Sequence, residues 1–357
     1  MNHFLAREDF PHLLRALTQA GYDCVGPQIR QGAIVFDHLH SVTQLPQGWQ
    51  DEQQPAHYRL EQTDSPYWFD WSNGASAIKP YTFAPQENLW TVQRDQSGRL
   101  RFQATLPKPQ KTAIIGVRAC DLAALALQDQ HFLHGKHVDP YYQARRESLL
   151  LIGVNCTHAA ATCFCVSTGD GPEIRQPYDL LLSEIAAGFL LSSGSTAGAT
   201  LAAQLPLTPA SNAQQHTAQQ RMHAATQQQR HLPAKPPLFA HLDHPHWQTV
   251  GARCLACGNC TSVCPTCFCH QAVEIPDLDG DTSRHERRWD SCFQPGHSYI
   301  HGWQIRSNAT DYYRQWLTHK LAGWHEQFGR SGCTGCGRCI SWCPAGIDLT
   351  AEVEQLG

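Results

Sequence analysis

Residues 254–265 read CLACGNCTSVCP, and residues 333–344 read CTGCGRCISWCP. Both stretches contain four cysteines in the spacing C-x2-C-x2-C-x3-C, followed directly by proline. Two-residue gaps let one tight loop point three sulfurs and several backbone N–H groups at a common centre, and the proline turns the chain away. The repeat indicates two such centres in one chain.

The same spacing holds iron–sulfur cubes in bacterial two-cluster ferredoxins, where the fourth cysteine of each run binds the other cluster. Thiolates are the soft ligands that this iron prefers. We therefore predict two [4Fe–4S] clusters. The first is assigned to Cys254, Cys257, Cys260 and Cys343. The second is assigned to Cys333, Cys336, Cys339 and Cys264. Zinc is the alternative metal, but a zinc ribbon uses two cysteine pairs and not two triplets.

The two runs are separated by 68 residues, more than a compact β-type ferredoxin needs. Much of this insert has a helical pattern. Residues 307–328 place aromatic and aliphatic side chains at three- and four-residue steps, and Gly329 and Gly332 follow as helix terminators. The pattern predicts a helical ferredoxin-type domain, with two cluster loops separated by packed helices.

The composition excludes several classes of protein. The 357 residues carry a formal net charge of −4 and show no basic stripe, which argues against nucleic-acid binding. The first ten residues lack a secretory signal, and no uninterrupted apolar run reaches membrane length. Sixteen cysteines without an export signal indicate metal binding in a reducing compartment, so we expect a cytoplasmic protein.

The first 201 residues are expected to form an α/β (α+β) domain with a mixed sheet. Residues 12–20 have the pattern of a short first helix. Short apolar or alternating runs predict strands at 33–36, 58–61, 89–93, 100–106, 178–185 and 189–191. The aromatic residues at 67–71 are either a docking surface or, as is more common, part of the core.

A small internal repeat indicates a β-α-β unit in this domain. The tripeptide Ile-Gly-Val occurs at 115–117 and at 152–154, and it leads to Cys120 and Cys156 respectively. A helical stretch begins at Asp121, which is suited to cap the helix N-terminus. If the two strands are parallel neighbours, Cys120 and Cys156 lie at the carboxyl edge of the sheet, where open α/β folds bind ligands.

A Thr-Cys-Phe-Cys sequence occurs at 162–165 and again at 266–269. With two nearby cysteines, these pairs could hold a third metal, either another iron–sulfur cluster or zinc. The candidate ligands are Cys156, Cys163, Cys165, Cys267, Cys269 and Cys292. The alternative is that some of them are free buried thiols, because cysteine packs well as a small apolar residue.

Between the two domains the composition changes to Gln, Ala, His and Pro. We predict a linker at 202–240, with 214–229 as a solvated helix, and the ferredoxin-type domain at 241–357. No dinucleotide-binding fingerprint and no acid/base or nucleophile constellation is visible in the sequence. Arg253 and Arg338 beside the cysteine runs could raise cluster potentials or simply lie on the surface.

Four motifs in order resemble the iron–sulfur protein family that includes the β subunit of cytoplasmic sulfhydrogenases and the corresponding iron–sulfur subunit of anaerobic sulfite reductase. They are IGVRACDLAAL at 115–125, GVNCTHAAATCFCVSTGDGP at 153–172, CLACGNCTSVCPTCFC at 254–269 and GCTGCGRCISWCPAGID at 332–348. The resemblance covers most of residues 110–350. The first hundred residues add little to it.

The resemblance implies an electron-transfer subunit of a multi-subunit oxidoreductase, with no catalytic residues of its own. Flavin and NAD(P) chemistry would belong to one partner subunit, and the nickel–iron hydrogenase or siroheme sulfite reductase site to others. We expect the hydrogenase assembly. The sulfite reductase subunit is the first alternative, and a redox sensor or scaffold with structural clusters is the second.

Overall fold

A computed structural model describes residues 3–278 and 280–357 of the chain. The strands are β1 His3–Ala6, β2 Asp23–Arg30, β3 Ala33–His38, β4 Trp49–Gln54, β5 His57–Gln62, β6 Gln86–Arg94, β7 Leu100–Ala104, β8 Thr112–Val117, β9 Leu149–Val154, β10 Leu180–Ile185, β11 Gly188–Ser193, β12 Thr208–Pro209, β13 His270–Pro276, β14 Thr282–Trp289, β15 Tyr299–Ile300 and β16 Trp303–Gln304.

The α-helices are α1 Phe10–Gln19, α2 Lys79–Thr82, α3 Ala119–Phe132, α4 Pro140–Glu147, α5 Cys165–Thr168, α6 Thr196–Ala202, α7 Asn212–Ala224, α8 His246–Arg253, α9 Asn259–Ser262, α10 Ala309–Thr318, α11 Trp324–Phe328, α12 Arg338–Ser341 and α13 Leu349–Gln355. A π-helical turn, His319–Gly323, joins α10 to α11. None of the helices within the described residues is long and apolar enough to span a membrane.

An eight-stranded mixed sheet forms the N-terminal domain, as the sequence predicts. Its strand order is β12-β1-β11-β10-β9-β8-β2-β3, and the four central strands β10, β9, β8 and β2 are parallel neighbours. Strands β8 and β9 are nearly continuous apolar runs because both faces of the sheet are covered there. Trp68, Phe69 and Trp71 pack into this core, so the core interpretation is confirmed for these three residues. Tyr67 is partly exposed, and Arg221 lies over its ring.

The predicted β-α-β unit is present. Strands β8 and β9 pair in parallel, and α3 begins directly after β8. The prediction for Asp121 is wrong in detail. The residue at the N-cap is Arg118, and Asp121 lies in the first turn of the helix, fully buried, where its carboxylate accepts hydrogen bonds from Arg338 and Asn73.

The C-terminal domain packs α8, α10, α11 and α13 around the two cysteine runs. Helix α10, the π-helical turn and α11 together cover the helical stretch predicted at 307–328. Trp316, Leu317 and Leu321 from this stretch are buried with Ile340 and Val353 in one hydrophobic core. The apolar side chains that recur at helical spacing in residues 307–328 therefore form the face that packs on the core.

The insert between the two cysteine runs also contains a β-hairpin that the sequence analysis did not predict. Strands β13 and β14 pair with each other, and β14 pairs with β6 to make the antiparallel sheet β13-β14-β6-β7. A buried arginine on β14, Arg287, forms ion pairs with Glu87 on β6 and with Asp139. The hairpin ties the insert to the N-terminal half of the chain.

The Gln-rich segment forms a helix over Asn212–Ala224. Its capping box at Ser211 and Gln214 begins the helix, and Ala218 packs on Ile185 and Leu190 of the main sheet. Most of the other side chains face solvent. The segment therefore lies against the N-terminal sheet, while its long polar face is exposed.

Candidate metal centres

The first cysteine run begins with a tight loop between α8 and α9, continues through α9, which carries Cys260, and ends at Cys264 after that helix. Ala256 and Gly258 adopt left-handed backbone conformations, with φ of 51° and 71°. These reversals turn the chain within three residues, and the N–H of Ala256 donates to the sulfur of Cys254 at 3.4 Å. Such a hydrogen bond favours the thiolate form that a metal requires.

The second run repeats this local geometry. Gly335 and Gly337 have φ of 64° and 72°, and the N–H of Gly335 donates to the sulfur of Cys333 at 3.4 Å. A short helix, α12, then carries Cys339. The two runs thus share a positive-φ glycine after the second cysteine and a backbone N–H bond to the sulfur of the first, as well as the cysteine spacing.

Each assigned set of four cysteines lines one cavity. The first cavity has about 450 Å³ of empty space, and its cysteines include Cys254, Cys257, Cys260 and Cys343. The second has about 400 Å³, and its cysteines are Cys264, Cys333, Cys336 and Cys339. In both cavities three cysteines of one run lie with the fourth cysteine of the other, and Cys339 lines the first cavity as a fifth cysteine. The assignment of ligands to each cluster stays a prediction.

The two cavities are neighbours with apolar walls. Trp316 and Leu349 line both of them, and Cys339 also borders both. Phe293 and Tyr313 complete the wall of the first cavity, and Leu317 and Leu321 do so for the second. These side chains shield most of the sulfurs from water, while Cys257 is exposed.

Burial controls the protonation of these thiols when no metal is bound. Burial raises the pKa of Cys333 to about 12, and it raises the pKa values of Cys260 and Cys339 as well. Cys264 differs, because a hydrogen bond with Cys267 lowers its pKa, assisted by the charge of Lys320. A bound cation would be needed to hold the whole set as thiolates.

Lys320 is a buried cation beside the cavity of Cys264, Cys333, Cys336 and Cys339. The sequence pattern did not predict it. Its Nζ donates to the hydroxyl of Thr266 at 2.8 Å and lies 3.6 Å from the sulfur of Cys264. Burial alone would lower the pKa of Lys320, but the neighbouring Cys264 and Cys267 sulfurs raise it above its usual value. The side chain therefore places positive charge beside the second cavity.

Lys79 is a second buried cation near the cysteines that the sequence pattern did not predict, and it lies in the N-terminal half of the chain, at the start of α2. Its Nζ donates to the carbonyl oxygens of Ser262, Cys264 and Cys267 at 3.1, 3.1 and 3.3 Å. Burial lowers the pKa of Lys79 to about 8. No sequence pattern links a lysine at position 79 to a loop more than 180 residues away.

The two arginines beside the cysteine runs have different environments. Arg338 is 1% exposed and donates from Nη2 to both carboxylate oxygens of Asp121 at 2.8 Å. The surface interpretation of Arg338 is therefore wrong. Arg253 is partly exposed and forms an ion pair with Glu352.

The six cysteines of the expected third site fall into two groups. Cys267, Cys269 and Cys292 line a cavity with about 690 Å³ of empty space, together with His297 and Lys320. Cys156, Cys163 and Cys165 are not among the residues that line this cavity. Their thiols lie close enough to interact electrostatically with one another, and that of Cys165 also interacts with Cys336.

Within residues 3–278 and 280–357, no three His, Cys, Asp or Glu side chains are grouped closely enough to hold a single metal ion. This finding includes the two cavities lined by four cysteines. Their sulfurs are distributed around a hollow, which fits a multi-iron cluster.

Two comparisons with known proteins agree with this geometry. Residues 253–347 match the model of a 4Fe-4S dicluster domain. The chain is also 26% identical over 360 residues to sulfhydrogenase 2 subunit beta of Pyrococcus furiosus, and the alignment covers 99% of this chain and 97% of that protein. No solved structure gave a significant match. Residues 253–347 therefore carry a 4Fe-4S dicluster domain, and the whole chain is similar to a sulfhydrogenase β subunit, the kind of protein that its motifs predict.

Proposed function

We propose that this iron–sulfur electron-transfer protein holds two [4Fe–4S] clusters and relays single electrons between two partner subunits. The first cluster would bind to Cys254, Cys257, Cys260 and Cys343, and the second to Cys264, Cys333, Cys336 and Cys339. The observation that carries this proposal is the crossed arrangement, in which each set of four cysteines lines one of two adjacent apolar cavities.

When bound, the clusters supply one-electron chemistry, and the protein chain supplies their environment. Backbone N–H groups of Ala256 and Gly335 donate to ligand sulfurs, which favours the more negative state of a cluster. Trp316 lies against both cavities and excludes water from the space between them. Lys320 beside Cys264 adds positive charge, which should raise the potential of the second cluster above that of the first.

For the partners, we infer a flavin and NAD(P) subunit on one side and a nickel–iron hydrogenase of the sulfhydrogenase type on the other. Support comes from the related protein, which is itself named as a subunit of a sulfhydrogenase. An exposed apolar ribbon, formed by Tyr299, Ile300, Trp303 and Ile305, also offers contact surface for another protein. The ribbon adjoins Arg306, which lines the cavity of Cys267.

An anaerobic pull-down of the tagged protein from its native host tests the partner assignment. We expect the eluate to reduce NADP with hydrogen as the electron donor. If the eluate instead oxidises reduced nicotinamide only when sulfite is present, the hydrogenase assignment is wrong and the sulfite reductase subunit replaces it.

A redox titration separates electron transfer from a structural or sensing role. The purified protein should show clusters that a reduced flavin protein reduces and that re-oxidise without loss of iron. Clusters that cannot be reduced, or that fall apart on reduction, would contradict an electron-transfer function.

A further inference from the structure

Four cysteines outside the two proposed cluster sites meet at the carboxyl edge of the main sheet. Cys120 lies in the first turn of α3, directly after β8, and Cys156 follows the parallel neighbour β9. Cys163 lies on the loop that leads to α5, and Cys165 is the first residue of that helix. We call these four residues the edge thiols.

The edge thiols lie near one another. A side chain on Gly171 would lie 2.8 Å from the sulfur of Cys165 and 3.4 Å from Cβ of Ala119, so the sulfur of Cys165 is close to the start of α3. Cys163 and Cys156 interact electrostatically with Cys165, and so does Cys120. The backbone N–H of Ala119, at the N-terminus of the 14-residue α3, points to the sulfur of Cys156.

Two buried arginines beside the edge thiols have donors without acceptors. Arg118 is 1% exposed, and its Nη2 donates to the carbonyl oxygens of Phe69 and Trp71, while Nε and Nη1 have no hydrogen-bond partner. Arg338, also 1% exposed, leaves Nε unpaired. Unpaired donors on buried cations are costly. Arg338 already has the carboxylate of Asp121 as its counter-ion, so the donors of Arg118 are the stronger indication of an anionic group nearby.

The edge thiols also adjoin the second cysteine run. The N–H of Phe164 donates to the carbonyl oxygen of Gly335 at 2.8 Å. A side chain on Gly335 would lie 2.4 Å from Cα of Cys165, and one on Gly337 would lie 2.3 Å from the carbonyl oxygen of Thr162. The loop of Cys163 and Cys165 is therefore packed directly on the loop of Cys336.

We propose that the edge thiols, Cys120, Cys156, Cys163 and Cys165, hold a third iron–sulfur cluster that extends the relay beyond the second. Each thiol would release its proton to solvent as its sulfur binds iron, and the unpaired donors of Arg118 and Arg338 would face the anionic cluster. Zinc, the other metal that four cysteines bind, has no redox chemistry and would leave the relay at two clusters, so the metal content of the protein distinguishes the two. The proposal builds on the two-cluster function proposed above, and it leaves Cys267, Cys269 and Cys292 out of the site.

Iron analysis of the anaerobically purified full chain tests the proposal. The double substitution Cys163→Ser and Cys165→Ser should remove about four irons per chain, the content of one [4Fe–4S] cluster. It should also remove one signal from the EPR spectrum of the reduced protein. The matched control is Cys24→Ser, a buried cysteine of the N-terminal core that should keep the full iron content. Unchanged iron in the double variant, or zinc in place of the lost iron, would overturn the proposal.

The wild-type protein gives a second measurement if the double variant does not fold. Three clusters require about twelve irons per chain. A content of about eight would overturn the third cluster and leave the two-cluster function intact. A content of about four or less would contradict both, so the two failures are distinguishable.

Discussion

Arg338 shows how a single residue of the second cysteine run is held in place. Its guanidinium is buried against the carboxylate of Asp121, a residue 217 positions earlier in the chain. Neither side chain is near water, so each charge depends on the other. The pair joins the second cysteine run to the first turn of α3.

Arg338→Met should lower the free energy of unfolding by about 3–5 kcal/mol, because the substitution leaves the buried carboxylate of Asp121 without its partner. Chemical denaturation under anaerobic conditions measures this change. The control is Arg175→Met, which removes an exposed ion pair with Glu173 and should cost less than about 1 kcal/mol. Equal effects of the two substitutions would contradict the assigned role of the buried pair.

Cys257→Ser and Cys336→Ser should each impair one of the two proposed clusters. Oxygen is a poorer ligand than sulfur for cluster iron, so each variant should lose up to about four irons and one reducible centre. Turnover with the partner subunits should fall in both. Iron analysis and EPR measure the loss, and unchanged iron together with unchanged activity would refute the ligand assignment.

The eight cysteines of the two proposed sites could be predicted from the sequence, because their spacing is itself the chemical signal. The charged residues around them could not. Lys79, Lys320 and Asp121 reach the cysteine loops only through the tertiary fold. Their contacts join residues that are more than fifty positions apart, and no local pattern encodes such contacts.

At the scale of elements, the loop at 162–165 and the loop at 333–339 are packed backbone to backbone. Gly335 allows this close approach because it has no Cβ, and its positive φ is one that few other residues adopt. The contact fixes the edge thiols relative to the second cysteine run.

Gly335→Ala should therefore disrupt the contact between these loops as well as strain the backbone. We expect a loss of stability of at least about 2 kcal/mol, compared with about 1 kcal/mol for Gly329→Ala. Gly329 is the matched control because it has a similar φ of 73° and open space where a Cβ would lie. Anaerobic urea unfolding measures both, and equal losses would show that close packing at Gly335 contributes nothing.

The β-α-β unit and the amphipathic helix were predictable at this scale, since apolar periodicity survives in a single sequence. The hairpin β13–β14 was not. Its strands are mostly polar, and β14 is held by β6, with Gln86 on β6 bonded to Glu286 on β14, a separation of 200 residues. The sequence likewise could not show that the Cys-Phe-Cys pairs at 163–165 and 267–269 belong to two different groups of cysteines, because only the fold places them apart.

At the scale of the whole molecule, the ribbon of β15 and β16 is the surface to test for partner binding. Trp303 is 74% exposed and lies beside Ile300 in the ribbon. Trp303→Asp should reduce recovery of partner subunits in the pull-down at least about tenfold, because a charge there opposes burial against another protein. Its iron content should not change.

Leu278→Asp is the control for this experiment, since Leu278 is an exposed apolar residue that lies between β13 and β14, away from the ribbon in the chain. It should leave partner recovery unchanged. If both variants reduce the recovery of partner subunits, or if neither does, the ribbon is not the specific contact surface.

The sheet shared by β6, β7, β13 and β14 has a consequence for how the protein is made. The ribosome releases β6 and β7 long before β14, which lies nearly two hundred residues downstream. Until β14 emerges, the nascent chain carries an open strand edge with free N–H and C=O groups, which is a site for mispairing with other chains. Correct synthesis therefore depends on keeping that edge apart from other chains until translation is nearly finished.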